Sequence, residues 1–142
     1  MEKRVVLFVD DEEKILKSIE RCLLDEPYHK YYAKSGQEAV KILKQEEVHV
    51  IVVDMFMPEM DGLELLKIVK KQYPNIINMV LSGYAQPVKT MMAMYEVGIY
   101  RFISKPWAYD EDFRALIRRA IYDYNLQYEH EDISVGSASH LE

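Results

Sequence analysis

VVLFVDDEE, residues Val5–Glu13, changes character within nine residues. Val5–Val9 is continuously apolar and built of β-branched, aromatic and aliphatic side chains. No polar alternation marks a solvent face, so the run reads as a strand buried on both faces of a parallel sheet. It stops at two consecutive acids, Asp10 and Asp11. The same form recurs three times down the chain. VHVIVV (Val48–Val53) ends at Asp54, IINMVL (Ile76–Leu81) at Ser82-Gly83, and IYRFI (Ile99–Ile103) at Ser104-Lys105-Pro106. A fifth run, YHKYYA (Tyr28–Ala33), mixes polar and aromatic residues and belongs at a sheet edge.

Between these runs the apolar period lengthens to that of helices. Ile15, Leu16, Ile19, Cys22 and Leu23 follow the i, i+3, i+4 rule, which assigns Cys22 to the core. Ser35 caps a second helix carrying Ala39, Val40, Ile42 and Leu43, with Glu38 three residues on in a capping-box pattern. Leu63, Leu65, Leu66, Ile68 and Val69 form a third, closed at Tyr73-Pro74 because a residue before proline disfavours the α region. Pro87 starts the fourth and Gly98 ends it. Phe113, Leu116, Ile117, Ala120, Ile121, Tyr124 and Tyr128 give the fifth a long stripe. The chain is therefore α/β, (βα)₅, and right-handed crossovers with helices on both faces make it a doubly wound sheet. Residues 1–130 form one domain; 131–142 is a small, polar tail, expected to be disordered, a linker or a cloning scar.

The chain has 142 residues, enough for one core, and is 49% hydrophobic and 30% charged with a formal net charge of −6. An acid excess excludes a phosphate-neutralising surface, so no direct nucleic-acid binding is expected. Residues 110–142 hold eight acids and three bases, whereas 1–109 hold sixteen and fifteen. The excess is thus a property of the last helix and tail, and the rest is nearly neutral. No apolar run approaches the roughly 20 residues of a membrane span. The amino terminus meets acids too early for a signal peptide. A single cysteine fits a reducing compartment, so a cytoplasmic location without membrane contact is expected. The four histidines, His29, His49, His130 and His140, show no ligand spacing and read as surface or edge residues.

In an open parallel sheet, ligands bind beyond the carboxyl ends of the strands. Four strand ends here deliver Asp10 and Asp11, Asp54, Ser82 and Lys105 to one edge. Three carboxylates in one crevice repel unless a cation joins them, and oxygen ligands suit Mg²⁺. An Asp, a Mg²⁺ and a Lys around one space can bind and stabilise a transferring phosphoryl group. A carboxylate can also be its acceptor, as an aspartyl phosphate. The bland reading is that Asp10 or Asp11 caps the first helix and that Lys105-Pro106 is a turn. Coincidence at four strand ends favours the chemical one.

These residues resemble the receiver domain of two-component response regulators. The matching pieces are VDDEE (Val9–Glu13), VDMFMPEMDG (Val53–Gly62), LSGY (Leu81–Tyr84) and FISKPW (Phe102–Trp107), in order and spacing over residues 4 to about 125. The resemblance implies a flavodoxin-like sandwich with a five-stranded sheet of order 2-1-3-4-5. It implies that Asp54 accepts a phosphoryl group from a histidine kinase, a phosphotransfer protein or a small phosphodonor. Asp11 directly, Asp10 through water, Asp54 and the backbone carbonyl of Phe56 would hold Mg²⁺, with Mn²⁺ as an alternative. Lys105 would pair with the acceptor and then with a phosphoryl oxygen. Ser82 would bond the phosphoryl group and move inward, and Phe102 would swing into the space it leaves. Pro58, Gly62 and Pro106 match turn positions. The expected result is a switch of the face formed by the fourth helix, fifth strand and fifth helix, which controls an output domain or partner. A homodimer, with the long last helix as its contact, is a further expectation. Met91, Met92, Met94 and Tyr95 on the fourth helix suit an adaptable partner surface.

Two departures bear on lifetime. Phe56 and Tyr84 occupy the positions that in the family flank the path of the hydrolytic water, so slow loss of phosphate is expected. Gly98–Trp107 resembles receivers joined to HD-GYP or other cyclic-di-GMP output domains and to sensor kinases. Two rivals stand beside the switch. One is a constitutive docking receiver that is not regulated by phosphorylation. The other is an aspartate-nucleophile phosphohydrolase of the haloacid-dehalogenase type. The latter wants an Asp two residues after its nucleophile, where Phe56 follows Asp54 and Glu12 follows Asp10.

Overall fold

The computed structural model describes residues 3–82, 88–104 and 111–129. The strands are β1 (Val5–Val9), β2 (His29–Ala33), β3 (Val50–Asp54), β4 (Ile77–Ser82) and β5 (Arg101–Ser104). The helices are α1 (Glu13–Cys22), α2 (Gly36–Gln45), α3 (Gly62–Gln72), α4 (Val88–Val97) and α5 (Glu111–Tyr124), and a π-helical turn, Asn125–Glu129, continues α5. All strand pairs are parallel, in the order β2-β1-β3-β4-β5. The doubly wound sheet expected from the sequence is the one observed, with the mixed run on the edge as β2. The long apolar runs start one or two residues before the strands do, because burial extends into the connections: Val48 and Ile76 are buried outside β3 and β4.

Strand alternation sorts the core into two layers. Leu7, Val9, Ile51, Val53 and Val80 face Ala39 and Leu43 of α2, Leu65, Leu66 and Val69 of α3 and Val97 of α4. Val6, Phe8, Val50, Val52, Met79 and Leu81 face Leu16 and Ile19 of α1 and Phe113, Ile117 and Ala120 of α5. Phe8 anchors the second layer, stacked on Tyr32 at 5.5 Å between centroids and tilted against Phe113 at 6.5 Å. Cys22 is half-buried against this layer rather than inside it.

The helix boundaries have local causes. Ser35 caps α2, its side chain accepting from the Glu38 N–H at 3.1 Å. Asp61 caps α3 through the Glu64 N–H at 2.9 Å, a cap the apolar pattern did not announce. Tyr73 closes α3 before Pro74 as expected, and Gly98 follows α4 at φ 85°. The residue preceding α1 is Glu12, whose side chain makes no cap hydrogen bond; its N–H donates to the Asp10 Oδ1 at 2.9 Å.

The expectation for His49 is corrected. It is 4% exposed, and its Nδ1 accepts the Val5 N–H at 2.9 Å. Its ring also meets Tyr124 edge-on at 4.9 Å. His49 is a structural residue at the amino end of the sheet, since an imidazole nitrogen there satisfies a backbone donor. His29 lies exposed on β2, as expected, and His130 and His140 lie outside the described residues.

Candidate functional site

The carboxyl ends of β1 and β3 are adjacent. Val9 pairs with Val53, so Asp10 and Asp54 are the next residues along the two central strands. Both are buried, Asp10 at 0% exposure and Asp54 at 5%. Asp54 follows Val50 and Val52 in the strand alternation, on the sheet face that carries α1 and α5. Asp10 is fixed from both sides: its N–H donates to the Ala33 carbonyl at 3.1 Å, and its Oδ1 accepts the Glu12 N–H at 2.9 Å. A carboxylate withdrawn from water is costly unless a cation or hydrogen bonds compensate it. Two at one sheet edge mark a site built for charge.

Carboxylate oxygens of Asp10, Asp11 and Glu12 lie within 4.8 Å of one another. Asp11 and Glu12 are exposed, so the cluster joins one buried carboxylate to two solvent-facing ones. An all-oxygen donor set of this kind fits a hard divalent cation. Glu12 was not among the residues singled out from the sequence; a third acid at a helix start reads first as a capping residue. Asp54 is not one of the three; it ends the neighbouring strand.

The turn after Asp54 is held close to the strand end. The Gly62 N–H donates to the Met55 carbonyl at 3.0 Å, and a Cβ on Gly62 would meet the Asp54 carbonyl oxygen at 2.5 Å. Gly62 is thus required by close approach of α3 to β3, more than by a turn conformation. Pro58 is exposed on the turn, and Phe56 stands 53% exposed beside Asp54. On the next strand, Leu81 pairs with Asp54, and Ser82 pairs with Ser104 of β5. The backbone therefore carries Ser82 to the same sheet edge as Asp54. Phe102 lies on β5, 40% exposed. Lys105, Tyr84 and Pro106 lie outside the described residues, as does the tail from 131.

Among the described residues no helix is long and apolar enough to cross a membrane. Met91, Met92 and Tyr95 of α4, Phe102 of β5 and Tyr122 of α5 are all exposed.

Comparison with known proteins gives a consistent picture. A family model described as the response regulator receiver domain matches residues 6–118. The hydrogenase transcriptional regulatory protein HoxA of Cupriavidus necator is 36% identical over 122 residues, covering 86% of this chain and 25% of that protein. A putative response regulator, NtrX-like, of Rickettsia conorii is 35% identical over 130 residues, covering 90% of this chain and 27% of that protein. The chain spans about a quarter of the length of the curated relatives it matches. Among solved structures, the signal receiver domain of an HD domain-containing protein from Pseudomonas fluorescens superposes with a TM-score of 0.82 at 29% identity, over 87% of this chain and 98% of that one. A CheY-like receiver domain protein from Methanospirillum hungatei gives 0.78 at 25% identity, over 91% and 99%.

Proposed function

Because this chain belongs to the response regulator receiver domain family, we propose that it is a phosphorylation-controlled switch with Asp54 as its phosphoacceptor. The observation that carries the reading is the placement of two buried carboxylates, Asp10 and Asp54, on adjacent strand ends beside a carboxylate cluster. A carboxylate oxygen of Asp54 attacks phosphorus, and the bond from phosphorus to the donor breaks. The donor is the phosphohistidine of a kinase or phosphotransfer protein, or a small acyl phosphate. The donor's imidazole nitrogen or carboxylate oxygen leaves with the electron pair.

Asp10, Asp11, Asp54 and the Phe56 carbonyl would hold Mg²⁺, with Glu12 at the rim of the donor set. Bound there, the ion supplies positive charge against the acceptor and phosphoryl oxygens. Asp10 is oriented for this by the Glu12 N–H. Lys105 would follow Ser104 to the same edge and provide a second fixed cation. The added phosphoryl group carries about −1.5 to −2 charges and three acceptor oxygens. Ser82 and Lys105 would be drawn to those oxygens, and Phe102 would change its exposure next to α4. The shift can be no larger than the difference in how the two states bind the group.

In the relatives the receiver is one part of a longer protein. HoxA is named a transcriptional regulator, and the Pseudomonas structure is the receiver of an HD domain-containing protein. We assign this chain the same role, passing a phosphorylation signal to a following domain or partner through α4, β5 and α5. The test is incubation with acetyl phosphate and Mg²⁺ followed by intact-mass measurement. The expected result is a gain of one phosphoryl group that Asp54→Asn abolishes. No gain with any donor favours a constitutive docking receiver instead.

A further inference from the structure

The turn after Asp54 is gripped from outside by the start of α2. Glu59 stands at φ 65°, the one non-glycine residue in the left-handed region among the described residues. Such a conformation persists only where its surroundings over-determine it. Its Oε2 accepts from the Gln37 Nε2 at 3.2 Å. The next residue, Met60, lies over Gly36: a Cβ on Gly36 would come within 2.6 Å of the Met60 Sδ and 2.9 Å of its Cβ and Cγ. The sulfur could swing aside, but a Cβ moves only with its backbone. At the other end of the turn, Gly62 seats against the Asp54 and Met55 backbone. The Ser35 cap stiffens the first turn of α2 and gives the grip a firm base.

We propose that Gly36 and Gln37 are positioning residues that clamp the turn from Met55 to Asp61. The clamp sets the placement of the Phe56 carbonyl and with it the cation affinity and the lifetime of phosphorylated Asp54. Neither residue belongs to the carboxylate cluster; both act through Glu59 and Met60. The proposal rests on the phosphoacceptor reading above. It adds α2, which carries none of the site residues, to the parts that tune the chemistry.

The test uses the full chain as parent, Gly36→Ala, Gln37→Ala, and a control, Lys44→Ala, on the exposed last turn of the same helix. Mn²⁺ affinity is read by electron paramagnetic resonance, and phosphoryl half-life by intact mass after acetyl phosphate is removed. Gly36→Ala is expected to weaken Mn²⁺ binding about tenfold, the scale of an outer-shell change, and to alter the half-life. Gln37→Ala should move both in the same direction by less, and Lys44→Ala neither. A Gly36→Ala protein that melts earlier but keeps parental affinity and half-life overturns the clamp. If that variant does not fold, parental values in Gln37→Ala overturn it. A parent that takes up no phosphoryl group overturns the phosphoacceptor reading instead, and the Mn²⁺ titration still decides the clamp.

Discussion

Gly62 is packed so closely that its missing Cβ is the reason α3 can start where it does. Gly62→Ala would drive a methyl into the Asp54 carbonyl oxygen at 2.5 Å and the Met55 Cα at 2.9 Å. Both are backbone atoms with nowhere to go, so the expected loss is about 1–3 kcal/mol, read by urea unfolding. Phe56 makes the opposite kind of prediction. It is largely exposed, so replacement should leave the fold intact while opening the flank of Asp54 to water. Phe56→Asn is expected to shorten the half-life of the phosphorylated form several-fold; an unchanged half-life would show that the ring only covers the rim. Residues differ in how plainly the sequence announced them. Asp10 and Asp54 were legible because each ends an apolar run. Glu12 was not, since its role depends on three carboxylates folding together at a helix start. His49 was misplaced because its partner, the Val5 N–H, sits on another strand and leaves no local pattern.

Helix ends and loop ties belong to the scale of elements. Ser35→Ala removes the α2 cap and should cost about 1 kcal/mol, measured by thermal unfolding. The loop between α1 and β2 is tied to α5 by Glu26, 8% exposed, whose two carboxylate oxygens accept from the Arg118 Nε and Nη2 at 2.7 and 2.8 Å. Those hydrogen bonds hold the Glu26 carboxyl below its ordinary value of 4.5. A depressed carboxyl adds stability above its unfolded pKa and loses it as pH falls through the folded one. Glu26→Gln should therefore cost about 1 kcal/mol at pH 7. The difference from the parent should shrink steadily as pH drops below 4.5. A gap that stayed constant with pH would show that the pair contributes no charge-dependent stability. Four of the five helices were legible from periodicity and the fourth from its bounding Pro87, outside the described residues, and Gly98, but the last one changes to a π-helical turn at Asn125 although its apolar stripe continues to Tyr128. Periodicity reports which side is apolar, and it is blind to a one-residue change in hydrogen-bond pitch.

For the molecule as a whole, the parallel topology was readable because two-sided burial leaves strands with no polar face. The mixed composition of β2 placed it at an edge, whereas the full order of strands came only with the receiver-domain resemblance. What the pattern could not supply was distance, such as the approach of α2 to the turn beyond β3. At the edge of the sheet remote from the acids, the first strand and last helix meet. The Arg4 Nε donates to the Asn125 Oδ1 at 2.6 Å, and its guanidinium lies 5.2 Å above the Tyr124 ring. Arg4→Ala should loosen this junction and speed amide exchange over Asn125–Glu129 without altering phosphoryl uptake. The junction also fixes a transmission distance. A domain joined after Glu129 starts from the floor of the sheet, whereas a modification at Asp54 happens at its roof. The 14 residues of α5 span about 21 Å between those levels. On the switch reading, a signal passed through α5 would have to cross that distance to reach a helix end tied to Arg4.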